Sequence, residues 1–280
     1  MRKLTPYLFV LPSLVLLVIF TIIPIVQGFY LALFRAGPRT KDFVGLYNFT
    51  FLFTKEPFQK ALYNTFWYVL LCVPALTIIP LILAMAINRM MDKWQNIYRT
   101  VFCLPFLVSA PVLGAIFKWF YSMDGLINTV TRQRVSWLGS NPAALISTSI
   151  VHIITGTGIP ILIYLAGLKN IPKSYIESAL VDGATKGQIN RLITVPLMLP
   201  LVEFVVVITT IGTFQIFGTI YMLTHGGPNF GTVSLIYLAY EYAFTQGEYG
   251  LGSAVCVVLF AIMLVFISLQ MALRRRLQWS

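Results

Sequence analysis

Two short stretches put polar groups inside otherwise apolar sequence. Thr155-Gly156-Thr157-Gly158-Ile159-Pro160 combines two hydroxyls with two glycines and a proline, and Gly212-Thr213-Phe214-Gln215 adds a hydroxyl and a carboxamide. Glycine and proline weaken a helix, and backbone groups freed at membrane depth persist only where they face protein or a wet cavity. The chemistry on offer is hydrogen bonding to a polar solute, with Phe214 and Phe217 as ring faces available for stacking. Glycine also lets neighbouring helices approach closely, so a packing notch competes with a transport site at the first stretch. Covalent chemistry has little to work with. His152 and His225 are far apart without an acid cluster, and Cys72, Cys103 and Cys256 are widely spaced and read as buried structural thiols. The sequence has no Gly-x-x-x-x-Gly-Lys-Ser/Thr loop, and Gly156-Thr157-Gly158 lacks the strand and helix context of a phosphate cradle. The chain is therefore expected to be no enzyme, with no metal and no catalytic residues.

The elements that carry these stretches are apolar runs. With 58% hydrophobic and 10% charged residues and a mean hydropathy of +0.82, a water-soluble domain would expose large apolar patches. A helix needs ~20 apolar residues to cross the hydrocarbon layer. Six runs qualify, at 8–34, 67–87, 101–120, 143–168, 197–223 and 251–273. Whole stretches are apolar rather than alternating, which disfavours a barrel. The expectation is an all-α integral membrane protein with six transmembrane helices in a single domain over residues 1–280. The first run is too long for the apolar core of a signal peptide and is read as a retained helix. Placing both termini inside assigns 12 of the 20 basic residues to the cytoplasmic side, including Arg2, Lys3, Arg89, Lys93, Lys169, Lys173, Lys186 and Arg274-Arg275-Arg276. The first external loop opposes that bias with Arg35, Arg39, Lys41, Lys55 and Lys60. The net charge of +11 is spread over loops beside apolar helices, where anionic lipid headgroups account for it and no nucleic acid is implied.

Between spans four and five the sequence carries two helix-start signatures. Ser174 with Glu177, then Thr185 with Gln188, each make the spacing of a capping box. Gly183 falls between them, where a left-handed turn can end the first helix. The reading is helix, Gly break, helix. Tyr175, Ile176, Ala179 and Leu180 recur at helical spacing and give the first helix an apolar face. That face suits either a groove on a cytosolic partner or a lipid surface.

The pattern Glu177-Ser178-Ala179, Asp182-Gly183-Ala184 and Ile193-Thr194-Val195-Pro196 resembles the Glu-Ala-Ala loop of inner-membrane permeases of binding-protein-dependent ABC importers. Further stretches in matching order are Phe43-Val44-Gly45-Leu46-Tyr47-Asn48-Phe49, Asn64-Thr65, Asp124-Gly125-Leu126-Ile127-Asn128, Trp137-Leu138 and Thr224-His225-Gly226-Gly227-Pro228. Together they cover nearly the whole chain and point to the carbohydrate branch, of maltose or glycerol-phosphate type. Gly187 and Asn190 replace two aromatic positions of the usual pattern.

The resemblance implies that Glu177, Ser178, Ala179, Asp182, Gly183 and Ala184 enter a cleft of an ATPase subunit and transmit its closure. It implies a substrate path at Thr155, Gly156, Gly212, Thr213 and Gln215. Implied partners are a second permease, two ATPase subunits holding ATP and Mg, an extracytoplasmic sugar-binding protein and the sugar, in a prokaryotic inner membrane. An anionic substrate should favour a buried Arg or Lys in its path, and the span centres hold none, so a neutral sugar is preferred over glycerol phosphate. A secondary transporter working without ATPases would want buried acids and a related second half, and neither is seen.

Overall fold

The computed structural model describes residues 5–38 and 41–277. Arg2, Lys3 and Arg39, used above to orient the chain, lie outside them, as do the side chains of Arg274, Arg275 and Arg276.

The chain is mostly helical. Among the described residues, four helices are long and apolar enough to cross a membrane, or up to six if each of two bent pairs is one span. In order these are α1 (Phe9–Leu31), α3 (Glu56–Ile87), the pair α4 (Asp92–Leu107) and α5 (Ala110–Phe120), the pair α7 (Ala143–Gly156) and α8 (Gly158–Lys169), α10 (Lys186–Phe214) and α13 (Tyr249–Leu277). Shorter helices are α2 (Tyr47–Thr54), α6 (Leu126–Thr131), α9 (Lys173–Val181), α11 (Gly218–Leu223) and α12 (Leu235–Tyr240).

The expected spans need several corrections. The fold is not purely helical: the first helix stops at Leu31, and β1 (Phe34–Ala36) pairs antiparallel with β2 (Lys41–Phe43). The second begins at Glu56, because polar residues continue the helix beyond its apolar part. The third is two helices bent by 99°, since Pro111 starts a new helix in its first turn. The fifth begins at Lys186 and is broken after Phe214. Wide π-type turns at Val18–Ile22 and Asn190–Thr194 lie just before Pro24 and Pro196, which have no N–H to continue the ladder.

The described residues fall into two compact units. One joins the chain up to Gln59 with Leu235–Val265. There Asn48 is buried and donates to the Ala32 and Phe34 carbonyls, each at 2.8 Å, tying α2 to the end of α1. No part of the apolar window of α1 is buried within the chain, so lipid or another subunit must cover it.

The other unit joins Lys60–Ser234 with the residues from Phe266. Its apolar core packs Ala84 and Ile87 of α3, Ile161, Tyr164 and Leu165 of α8, and Met198 and Val205 of α10. Polar residues on its helices clip neighbouring segments in place. Asn128 accepts from Trp137 Nε1 at 2.8 Å and donates to the Val135 carbonyl at 3.0 Å. Asn64 donates to the Phe230 and Val233 carbonyls, and Tyr68 shares a 2.8 Å hydrogen bond with Thr148. Buried polar groups satisfied in this way hold the loop around Thr224–Thr232 in one shape.

Candidate functional site

Three chain breaks converge on one cavity of about 290 Å³. The break between α4 and α5 contributes Pro105, Phe106 and Val108, and that between α7 and α8 contributes His152, Thr155 and Gly156. The break between α10 and α11 contributes Gly212, Gln215, Phe217 and Thr219. Helices α5 and α11 begin there without a side-chain cap, which leaves first-turn backbone N–H groups beside the opening.

Four of the five expected path residues meet here. Gly212 has open space where a Cβ would point. Gln215 is exposed, and its carboxamide makes no hydrogen bond within the described residues, leaving two donors and an acceptor. Thr155 donates to carbonyls of its own helix, at Val151 and His152, and keeps acceptor capacity on its hydroxyl. Gly156 lines the cavity while its Cβ position lies 3.1 Å from Leu76 Cδ2. Thr213 does not line it: fully buried, it sits with its hydroxyl 3.4 Å from His152 Nε2.

The alternatives at span four divide between its two glycines. Gly156 belongs to the cavity, whereas Gly158 is a packing notch, its Cβ position 3.3 Å from Cys103 Cα and the Phe102 carbonyl. Phe214 is no sugar platform, because it is buried against Phe266 with ring centroids 5.6 Å apart. Phe217 does line the cavity and stacks on Tyr221 at 5.4 Å. His152 went unrecognised in the sequence because it lacks acidic neighbours. Its spacing held the signal, since positions 152, 155 and 156 share one helix face. The described residues lining the cavity include no Asp, Glu, Lys or Arg. Among the described residues no group of three or more His, Cys, Asp or Glu could hold a metal ion.

The loop before α10 has the helix, Gly break, helix form. Helix α9 ends in a closed turn in which Gly183 (φ 79°) donates to the Leu180 carbonyl at 3.1 Å and Ala184 to the Ala179 carbonyl at 2.9 Å. Thr185 and Gln188 form the expected capping box. Ser174 and Glu177 do not, because Pro172 is already the N-cap and puts Ser174 inside the first turn. The second helix is not a separate short one but runs on into α10.

Glu177, Ser178, Asp182 and Gly183 are exposed, and Ala179 and Ala184 are half-buried. Tyr175, Ile176, Ala179 and Leu180 do not form one outward face. Ile176 and Leu180 line a groove beneath α9, while Tyr175 and Val181 face outward, Val181 with 88% of its surface exposed.

The sequence profile of the binding-protein-dependent transport system inner membrane component matches residues 49–279. The probable ABC transporter permease protein YurN of Bacillus subtilis is 33% identical over 96% of both chains. The trehalose/maltose transport system permease protein MalF of Thermococcus litoralis is 31% identical, covering 93% of this chain and 90% of that one. In fold, this chain superposes with a TM-score of 0.86, at 24% identity, on a chain of a bacterial ABC transporter involved in import of the acidic polysaccharide alginate, covering 98% and 96% of the two. With a profile match over most of its length, this chain belongs to the family of inner-membrane components of binding-protein-dependent transport systems.

Proposed function

We propose that this chain is the permease subunit of an ATP-driven importer for a neutral sugar or oligosaccharide, and that the cavity at the three helix breaks is part of the translocation path. The observation that carries the substrate class is the lining: a carboxamide, hydroxyls, an imidazole and aromatic rings, with no Asp, Glu, Lys or Arg among the described lining residues. Such a surface matches hydroxyl-rich, uncharged solutes and offers nothing to neutralise a phosphate. The names of the T. litoralis relative and of the arabinooligosaccharide permease AraP of B. subtilis, 31% identical over 94% of this chain, support a saccharide.

In this reading both termini are cytoplasmic, and ATP with Mg binds two partner ATPase subunits. A second permease completes the path, and an extracytoplasmic binding protein delivers the sugar. Helix α9 docks on the ATPase with Tyr175, Glu177, Ser178, Val181 and Asp182, its outward residues. Its movement reaches the cavity through α10, whose 29 residues make a rod roughly 40 Å long.

Uptake by the importer reconstituted in vesicles tests the path. Gln215→Ala should lower the rate of sugar uptake about tenfold, the worth of one lost substrate hydrogen bond, with assembly and ATP binding retained. Undiminished uptake in both Gln215→Ala and His152→Ala would remove the cavity from the path.

A further inference from the structure

The groove beneath α9 has a different chemistry from the cavity, and nothing in the proposed transport cycle uses it. It encloses about 330 Å³. Its floor is apolar, with Met85 of α3, Leu168 of α8, Ile176 of α9 and Ile189 of α10, joined by Ile171. Its rim is polar, with Asn88 and Arg89 just beyond the end of α3 and Lys186, Asn190 and Thr194 in the first turns of α10.

Three facts about this arrangement point to one kind of occupant. Arg89 and Lys186 come from segments about a hundred residues apart in sequence, yet share one opening whose described lining contains no carboxylate. Neither makes an ion pair within the described residues, so two cations face one space without a counter-charge, and an anion there would relieve their repulsion. Second, the neighbouring amides of Asn88 and Asn190 and the hydroxyl of Thr194 supply neutral donors of the kind that complete an oxyanion's hydrogen bonds. Third, the groove lies where α3 and α8 end and α10 begins. Three span ends at one level mark the headgroup layer, and the apolar floor continues inward along those same helices. A soluble anion would use the rim and leave the floor wet. An amphipathic anion uses both.

We infer that this groove binds an anionic phospholipid, its phosphate held by Arg89 and Lys186 and the first part of its acyl chains laid on Met85, Leu168 and Ile189. Because Ile176 forms one wall, the lipid supports α9 from behind, opposite its exposed residues. The occupant is a structural or regulatory ligand, separate from the transported solute.

The test is a titration of the importer, purified whole from its native membrane in mild detergent, with phosphatidylglycerol, reading bound lipid by native mass spectrometry. The Arg89→Gln/Lys186→Gln variant should bind about twenty-fivefold more weakly than the unaltered importer, from two basic contacts each worth about fivefold. Lys93→Gln/Lys169→Gln, which removes two nearby cations that do not line the groove, should change binding by less than about twofold. Equal binding by the groove variant, or an equal loss in the control, overturns the assignment. Displacement of the lipid by inorganic phosphate or glycerol phosphate would reassign the groove to a soluble anion and overturn the lipid. If the double variant fails to accumulate, Lys186→Gln alone is titrated, with about a fivefold loss expected and no loss contradicting the proposal.

Discussion

Helix ends are treated oppositely at the two places where this chain departs from continuous spans. Around the membrane cavity, α5 and α11 start without side-chain caps, and the surrounding surface is uncharged but polar. In the loop after α8, α9 also starts uncapped at Pro172, but its end is sealed by the paired hydrogen bonds at Gly183 and Ala184 and the start of α10 by the Thr185–Gln188 box. An open helix end leaves hydrogen-bonding capacity for a solute. A closed one leaves none, and turns a loop into a body that can be pushed. Under the proposed function, recognition falls to the first region and transmission to the second, and the contrast predicts how each should fail.

The largest expected effect comes from erasing the difference in charge. Nothing lies within 4 Å of a Cβ at Gly212, so Gly212→Lys meets no clash at its Cβ but puts a cation at membrane depth, at roughly 3 kcal/mol. Sugar uptake should fall at least about a hundredfold, while Gly212→Ala stays near normal. Equal uptake by both would mean that the cavity's neutrality has no function. Next, Gly158→Val drives a side chain against the backbone of α4, at about 1–3 kcal/mol of overpacking. Thermal unfolding in detergent should begin at a clearly lower temperature than for Gly212→Val, which meets open space. Gly183→Val forces a β-branched residue to φ 79°, at roughly 1–2 kcal/mol. ATP hydrolysis by the assembled importer should then proceed with little uptake, and normal coupling would refute the rigid-loop account. The smallest effect belongs to Thr185→Ala, which removes the capping box at about 1 kcal/mol. Faster amide exchange confined to the first turn of α10 is expected, with uptake near normal.

What could be read in advance was local. The Thr185–Gln188 box and the left-handed Gly183 depend on a few adjacent residues, and both form. The Ser174–Glu177 box has the same spacing, yet it loses to Pro172, whose fixed φ starts the helix before Ser174 can serve as its cap. Hydropathy located the apolar runs but not their bends. It cannot register that Pro111 restarts a helix or that the chain breaks after Phe214, because both sides of each break are equally apolar. Orientation was equally hidden: Phe214 turns to Phe266 and Thr213 to His152, while their neighbour Gln215 reaches the cavity. Those directions are set by helices distant in sequence. His152 was legible by its helical spacing to Thr155 and Gly156, and was missed when judged only by its acidic neighbours.

The central claim is that sugar passes the helix breaks, and site-directed thiol labelling tests it most directly. In an importer lacking Cys72, Cys103 and Cys256, the thiol introduced by Gln215→Cys should react with a water-soluble maleimide, and the transported sugar at saturation should slow that reaction. A thiol introduced by Met91→Cys, exposed and lining neither the cavity nor the docking side of α9, should react at the same rate with or without sugar. A thiol at position 215 that reacts at a sugar-independent rate in a transport-competent importer would contradict the account.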